Sequence, residues 1–488
     1  MALRWPEYAD YGLGEDVTKV PQTEAEWTRL LEYNLLDSKF TLLLAQEYLA
    51  KLTEAEKKSA RHEALGLLPI ALSGLNGIRI DVDALDALNS DVALRRTNAD
   101  TILGVDPKII ASPAKLGKLL YEDWGLAATQ VTPTGKPATD KEALLNLALQ
   151  YPTDTRLQAL MAMRKVNTQQ SKFVDAVYKS MAYSGNNLTR PAPQIAGTYT
   201  GRMTYSSKQG KGKTEVQTGI ALHQWERGKA ARSLLIPPPG FLLAEFDASG
   251  QEMRLMADAS QDETMLKLFN DGIDGHAYMG AAIEGVEWQW VSGEQDKDPR
   301  AKEIRNLGKF ANLSSQYRIG INTLRVRALV QYGLNLSQSK GEQISTTYKR
   351  TYRGVVRYWR TAVAKAAHAG YAESNDHRRI VLNNLNDYGQ QQTAINFPIQ
   401  GTGGGMKELA IAVLRTEFSD DVIYAWDLHD ALFIYVRDDD RAVETVKRIR
   451  DKLNNLPYLM AWGWQPLLQL PWDMKMGSSW GNLKGVGK

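Results

Sequence analysis

The chain has 488 residues, 43% hydrophobic and 24% charged, an ordinary globular composition long enough for two to four structural units. It contains no cysteine, which excludes disulfides and thiolate metal sites and fits a reducing compartment. The net charge of +3 is too small to imply a nucleic-acid partner by itself. No apolar run reaches membrane-spanning length and Met1-Ala-Leu-Arg-Trp-Pro6 lacks a signal-peptide core, so a cytoplasmic location with no membrane partner is expected.

Helical spacing runs from about Glu24 to Leu52, with apolar residues at Leu30, Leu31, Leu35 and Leu36. Tyr33 and Asp37 lie four apart there and share a face. Pro69 to Asp81 predicts a helix stopped at Asn76-Gly77, then a short strand. Residues 82–180 are mostly helical, including Ala114 to Trp124 and Asp140 to Leu149, and are broken by the turn Thr132 to Pro137. Arg164, Lys165 and Lys172 would suit an arm lying along a polyanion, or equally a solvated helix face. Thr198 to Ser207 mixes hydroxyls with Arg202; a Gly/Lys loop, Lys208 to Lys213, and then Arg227, Lys229 and Arg232 follow. That mixture is what phosphate contacts require, and a plain surface loop shares it.

The apolar run Phe241 to Phe246 reads as a buried strand that carries Asp247 to its end, before a turn and a helical segment with Glu252 and Arg254. Such an Asp either mounts a metal ligand or caps the next helix. Residues 252–384 read as largely helical. Within them Arg305, Lys309, Leu313 and Tyr317 recur every four residues, so one slowly drifting helix face carries two cations and then two bulky groups. Cations for a polyphosphate beside a surface for a base make a nucleotide-binding face; an amphipathic surface helix has the same pattern. Asn396, Gln400 and the glycine cluster that follows would allow close approach to a base edge or sugar, although a Gly-rich helix start looks similar. Val422 to Trp426 and Leu432 to Val436 flank Asp427-Leu428-His429-Asp430, a hairpin signature. If that hairpin lies beside the strand ending at Asp247, two carboxylates converge, which is the donor set two Mg²⁺ ions need.

In this order the segments resemble the signatures of family A DNA polymerases, the group of bacterial DNA polymerase I and many phage replicative enzymes, from roughly Leu67 to Trp480. Thr200-Gly201-Arg202 with Ser206 and Ser207 resembles the family's Thr-Gly-Arg stretch. Asp247-x-Ser249-x-x-Glu252-x-Arg254 resembles its first catalytic motif, Arg305 to Tyr317 its fingers helix, and His429-Asp430 its last catalytic motif. Asp274-Gly275-His276 is similar to the site of a phosphate-contacting His before that helix. The resemblance implies an α+β right-hand architecture of thumb, palm with an antiparallel sheet, and helical fingers. An exonuclease remnant would occupy residues 1–55, the thumb and connecting helices 56–185, the palm 186–261 and 389–488, and the fingers 262–388.

The implied activity is template-directed DNA polymerisation, a nucleotidyl transfer from dNTPs to the primer 3′-hydroxyl of a primer–template DNA. Two Mg²⁺ ions, or Mn²⁺ in their place, would be held by Asp247, Asp430 and the carbonyl of Ala248. By the same resemblance Arg305, Lys309 and His276 would neutralise the triphosphate, with Lys309 among the catalytic groups. Leu313 and Tyr317 would line the nucleotide site, Tyr317 near the templating position, and Glu252 would exclude a ribose 2′-hydroxyl. Arg202, Asn396, Gln400 and His429 would touch the primer–template. The chain departs from the family pattern at Leu313, where an aromatic is usual, at Tyr317-Arg318-Ile319-Gly320 for Tyr-Gly, at Ala431 for a carboxylate, and at Gln392 for an Arg.

Tyr33-Asn-Leu-Leu-Asp37 resembles the last motif of the 3′→5′ proofreading exonuclease that precedes this polymerase. Its earlier carboxylate motifs have no place in residues 1–30, so no autonomous proofreading is expected, and a separate exonuclease or a processivity factor becomes a candidate partner. Two rivals share features: a single-subunit RNA polymerase, which Glu252 and the remnant argue against, and a catalytically degenerate primer–template-binding protein, which retention of both aspartates, Arg305 and Lys309 argues against.

Overall fold

The two apolar runs singled out above pair with each other. In the computed structural model, which describes residues 22–195, 197–210, 212–226 and 228–486, they belong to one antiparallel sheet of five strands. Numbered within this sheet, these are β1 (Phe241–Ala248), β2 (Val422–Leu428), β3 (Ala431–Arg437), β4 (Trp472–Gly477) and β5 (Lys484–Gly485). Their spatial order is β2-β3-β1-β4-β5. The strands β1 and β3 are almost continuously apolar because both faces of the sheet are covered. Ala244, Phe246, Leu432 and Ile434 pack into one core, whereas Leu243, Phe433 and Tyr435 pack into another with Trp426 and Trp480. The period of two places Glu245 and Asp247 on the Leu243 side, half-buried toward the end of β1.

The N-terminal helix forms over Glu24–Lys51 behind a Thr23 capping box. Its apolar stripe is not turned inward, however: Leu31 and Leu35 are 64% and 70% exposed, and Phe40 alone is buried. Residues 1–21 of the expected exonuclease remnant lie outside the described residues. The next helix, Glu54–Asn76, runs through Pro69 and stops where expected, at Gly77 with φ +70. The strand Ile78–Ile80 follows and pairs with Leu188–Thr189 and Leu235–Ile236. Asp140 caps the helix Lys141–Gln150, and the turn at Thr132 closes through its N–H to the Lys136 carbonyl at 2.7 Å.

Several expectations are corrected. Lys211 and Arg227 of the basic stretch lie outside the described residues. Lys208 is paired with Glu215 at 2.6 Å and the Arg232 guanidinium lies 4.4 Å over the Trp480 ring, so these two cations are engaged within the protein. The stretch 252–384 is interrupted by an unexpected ribbon, Tyr371–Glu373 against Arg379–Val381. The helix bearing Arg305 spans Pro299–Ser315, so Tyr317 falls in the turn beyond it, next to Arg318 at φ +57. Arg305, Lys309 and Leu313 share the helix; Tyr317 does not.

The glycine cluster is also not what its composition suggested. It lies inside a 30-residue helix, Tyr388–Glu417, where Gly401 to Leu414 are all buried. A Cβ at Gly404 would stand 2.7 Å from the Thr200 carbonyl oxygen, and one at Gly401 2.9 Å from Ser374 Cβ. The glycines therefore admit the Thr200 backbone and the side chains of Ser374, Gln251 and Asp376 to the helix rather than a base edge.

Candidate active site

Strand register decides which carboxylates meet. Ala431 on β3 lies opposite Asp247 on β1, and the Ala248 N–H donates to the Asp430 carbonyl at 3.2 Å. Leu428 pairs with Ala431, so the hairpin turns on His429 and Asp430 alone. His429 takes φ +51, a positive-φ conformation of the kind two-residue hairpin turns demand. Asp430 is thereby held at the tip, beside the end of β1. On the other side of β1, Asp473 on β4 lies opposite Asp247 and accepts a hydrogen bond from the Ser249 hydroxyl. Burial, together with the carboxylates of Glu245, Asp430 and Asp473, pushes Asp247 up to about 6 despite Lys475.

Asp430 and Glu252 are joined by one cation. The Arg202 guanidinium donates to Asp430 Oδ1 at 2.8 Å and to Glu252 Oε1 at 3.1 Å. Glu252 opens the helix Gln251–Ser260. It also accepts from Gln316 Nε2 at 2.8 Å, the Tyr317 hydroxyl at 3.2 Å and Gln400 Nε2 at 3.3 Å. Burial and the Glu252 carboxylate hold the Tyr317 hydroxyl well above its usual pKa, so it remains a donor. Four residues from the sequence reading are thus bound to Glu252 or through Arg202 to it; Gln316 was missed.

The cationic group is separate but adjacent. Arg305 Nε donates to Asp274 Oδ2 at 2.7 Å, and Asp274 also caps the helix Gly275–Glu284 by accepting from the N–H groups of His276 and Ala277. His276 Nδ1 lies 3.2 Å from Asn312 Nδ2. Burial, aided by Arg305 and Lys309 and opposed by Asp274, lowers His276 to about 4, so the ring is neutral at pH 7. Lys309 is exposed on the same helix. The two helices touch at glycines: a Cβ on Gly308 would collide with the His276 carbonyl oxygen, and one on Gly280 would stand 2.8 Å from the Ile304 carbonyl carbon. Leu313 links the two groups, because it lines one cleft of about 390 Å³ with Glu252, Tyr317, Gln392, Asn396 and Gln400. Asn396 Nδ2 donates to the Tyr199 hydroxyl at 3.2 Å, whereas its buried Oδ1 has no protein partner.

A sequence model of DNA polymerase family A matches residues 84–482. The chain belongs to DNA polymerase family A. DNA polymerase I of Pseudomonas aeruginosa is 26% identical to this family A chain over 426 residues, covering 83% of this chain and 43% of that one. DNA polymerase I of Lactococcus lactis subsp. lactis is 25% identical over 421 residues, covering 84% and 44%. The chain thus spans under half the length of these curated relatives. Among solved structures, the POL domain of Pol1 from M. smegmatis, in complex with DNA primer-template and dNTP, matches with a TM-score of 0.71 at 22% identity, over 93% of this chain and 74% of that one, a likeness of fold.

The donor set suits hard divalent cations. Asp247 and Asp430 present oxygen ligands where carboxylate charge accumulates enough to raise Asp247, and the Arg202 guanidinium already occupies one oxygen of Asp430 as a counter-charge. Among the described residues no three His, Asp or Glu side chains form a chelating group. Mg²⁺ is commonly held by one or two carboxylates plus water and substrate phosphates. The departure at Ala431 is consistent with the same limit, since an acid there would face Asp247 directly. Among the described residues no helix is long and apolar enough to cross a membrane.

Proposed function

We propose that this chain is a template-directed DNA polymerase that extends a primer 3′-hydroxyl with dNTPs on a primer–template DNA. The observation that carries the reading is the sheet register, with Asp430 at a two-residue tip beside Asp247 and joined through Arg202 to Glu252. In this reading the central sheet is the palm, residues 262–388 the fingers, and 56–185 the thumb and connecting helices. Asp247, Asp430 and the Ala248 carbonyl would hold two Mg²⁺ ions, which when bound would lower the pKa of the primer hydroxyl and neutralise phosphate charge.

The protein's own groups do the rest by placement. Arg305 and Lys309, one helical turn apart, offer two cations to a triphosphate, and neutral His276 offers a hydrogen bond without adding charge. Glu252, immobilised by four donors, fills the volume a ribose 2′-hydroxyl would need. Arg202, Asn396, Gln400 and His429 approach the primer terminus. Leu313 offers an apolar rather than a stacking surface to the base. In this reading residues 1–55 are an exonuclease remnant in which Asp37 is the one carboxylate of a proofreading motif.

The test is primer extension with Mg²⁺ and the four dNTPs. The parental chain is expected to extend without shortening the primer, and Asp247→Ala and Asp430→Ala each to lose at least ~10³-fold in rate. Extension at the parental rate by either variant would end this reading, as would a preference for rNTPs.

A further inference from the structure

Two charged side chains that this chemistry does not use lie buried beneath the hairpin tip. Lys407, in the long helix, is 2% exposed and Asp427, at the end of β2, is 1% exposed. Lys407 Nζ donates to Asp427 Oδ2. Asp427 Oδ1 accepts from the Tyr205 hydroxyl at 2.7 Å and the Tyr424 hydroxyl at 3.2 Å. The Tyr205 oxygen in turn accepts from the Asp427 N–H at 3.0 Å. The Asp427 carboxylate has a donor on each oxygen, yet desolvating two ions costs about as much as their attraction returns, and an apolar pair of like volume often holds a fold as well. Stability is thus a weak reason for its presence.

Its neighbours suggest another. Asp427 precedes Asp430 by three residues in the same hairpin, and Tyr205, in the short strand Thr204–Ser206, follows by three residues the Arg202 that reaches Asp430. Lys407 follows Gln400 by seven residues, two turns along the same helix face. One buried node therefore joins the three segments whose side chains meet at the site: Asp430, Arg202 and Gln400. A buried, hydrogen-bonded charge pair locks their relative positions more tightly than apolar side chains, which slide at little cost.

We propose that Asp427, through Lys407 and Tyr205, is a positioning residue that sets where Asp430 and Arg202 stand relative to Asp247. The inference rests on the polymerase reading and deepens it. The node acts on the geometry of the reacting groups and touches none of Arg305, Lys309 and His276, so its loss should lower kcat and spare KM for dNTP.

The experiment compares the parental chain with Asp427→Asn, Lys407→Met, the double variant Asp427→Asn/Lys407→Met, and Tyr205→Phe, measuring melting temperature and single-nucleotide incorporation with Mg²⁺. Each single charge removal strands a buried ion and should lower the melting temperature; the double variant should recover it. Despite that recovery, kcat of the double variant should stay roughly 10- to 100-fold below the parental value, with KM for dNTP unchanged. A double variant with parental kcat would overturn the proposal. If the double variant does not fold, Tyr205→Phe decides, since it keeps both charges: a several-fold lower kcat at parental melting temperature supports the node, and parental kcat overturns it. Absence of Mg²⁺-dependent extension by the parental chain would instead strike the polymerase reading. The positional claim would then be read from hydrogen exchange at residues 199–206 and 428–431 in the same variants, where protection equal to the parental chain's would overturn it.

Discussion

The Asp247 carboxyl should make the metal-free protein less stable than it would be without that charge. Its pKa is raised from the usual 3.8 to about 6 by burial and by the carboxylates of Glu245, Asp430 and Asp473. A carboxyl raised on folding costs stability where it is ionised in both states, above the folded value, and the cost fades as pH falls through about 6 toward 3.8. Raising the carboxyl from 3.8 to about 6 corresponds to about 3 kcal/mol at pH 8 and to about half that at pH 5, before solvent screening of this partly exposed group. Asp247→Asn keeps the shape and removes the charge. In EDTA at pH 8 it should therefore melt up to about 3 °C higher than the parental chain, given an unfolding entropy near 2 cal/mol/K per residue over so long a chain. At pH 5 the gain should shrink by about half. Added Mg²⁺ should raise the melting temperature of the parental chain and leave that of Asp247→Asn nearly unmoved. Scanning calorimetry at the two pH values decides the matter. An Asn variant no more stable than the parent at pH 8, or a gain of equal size at pH 5, would refute the account of charge crowding at the end of β1.

Two further outcomes follow from the geometry. Glu252→Ala empties the volume beside Tyr317 and should reduce the preference for dNTP over rNTP by roughly 10- to 100-fold in competition assays; unchanged discrimination would remove Glu252 from that role. Gly308→Ala drives a methyl group into the His276 carbonyl and should cost about 1–3 kcal/mol in denaturant unfolding, with lowered incorporation as the helices separate; parental stability would contradict the close helix contact.

Much of the site was legible because its signals are local. An apolar run ending in Asp247 and two apolar runs separated by a turn state their own conformation, and all three strands formed close to the expected limits. The stop at Asn76-Gly77 was readable for a similar reason, since a positive φ is easiest for glycine. Where local pattern misled, tertiary contact had overridden it. The glycines of 401–405 looked like an opening for a ligand and proved to be an opening for neighbouring protein groups, the Thr200 carbonyl and the side chains of Ser374, Gln251 and Asp376. Tyr317 kept the four-residue spacing but left the helix two residues earlier.

What sequence determined by itself was chemistry at points along the chain: carboxylates on strand ends, cations on one helix, a turn between apolar runs. It could not say that β3 lies beside β1, nor that Asp473 on β4 flanks Asp247 from the other side. Strand order and register arise from pairings between distant segments, on which no local period depends. The same is true of Arg202 and Asp430, which are 228 residues apart and meet at 2.8 Å, and of Lys407 and Asp427, which lie 20 residues apart on a helix and a strand. Packing alone decided that these charges meet, because a buried ion is tolerable only where the fold delivers its partner.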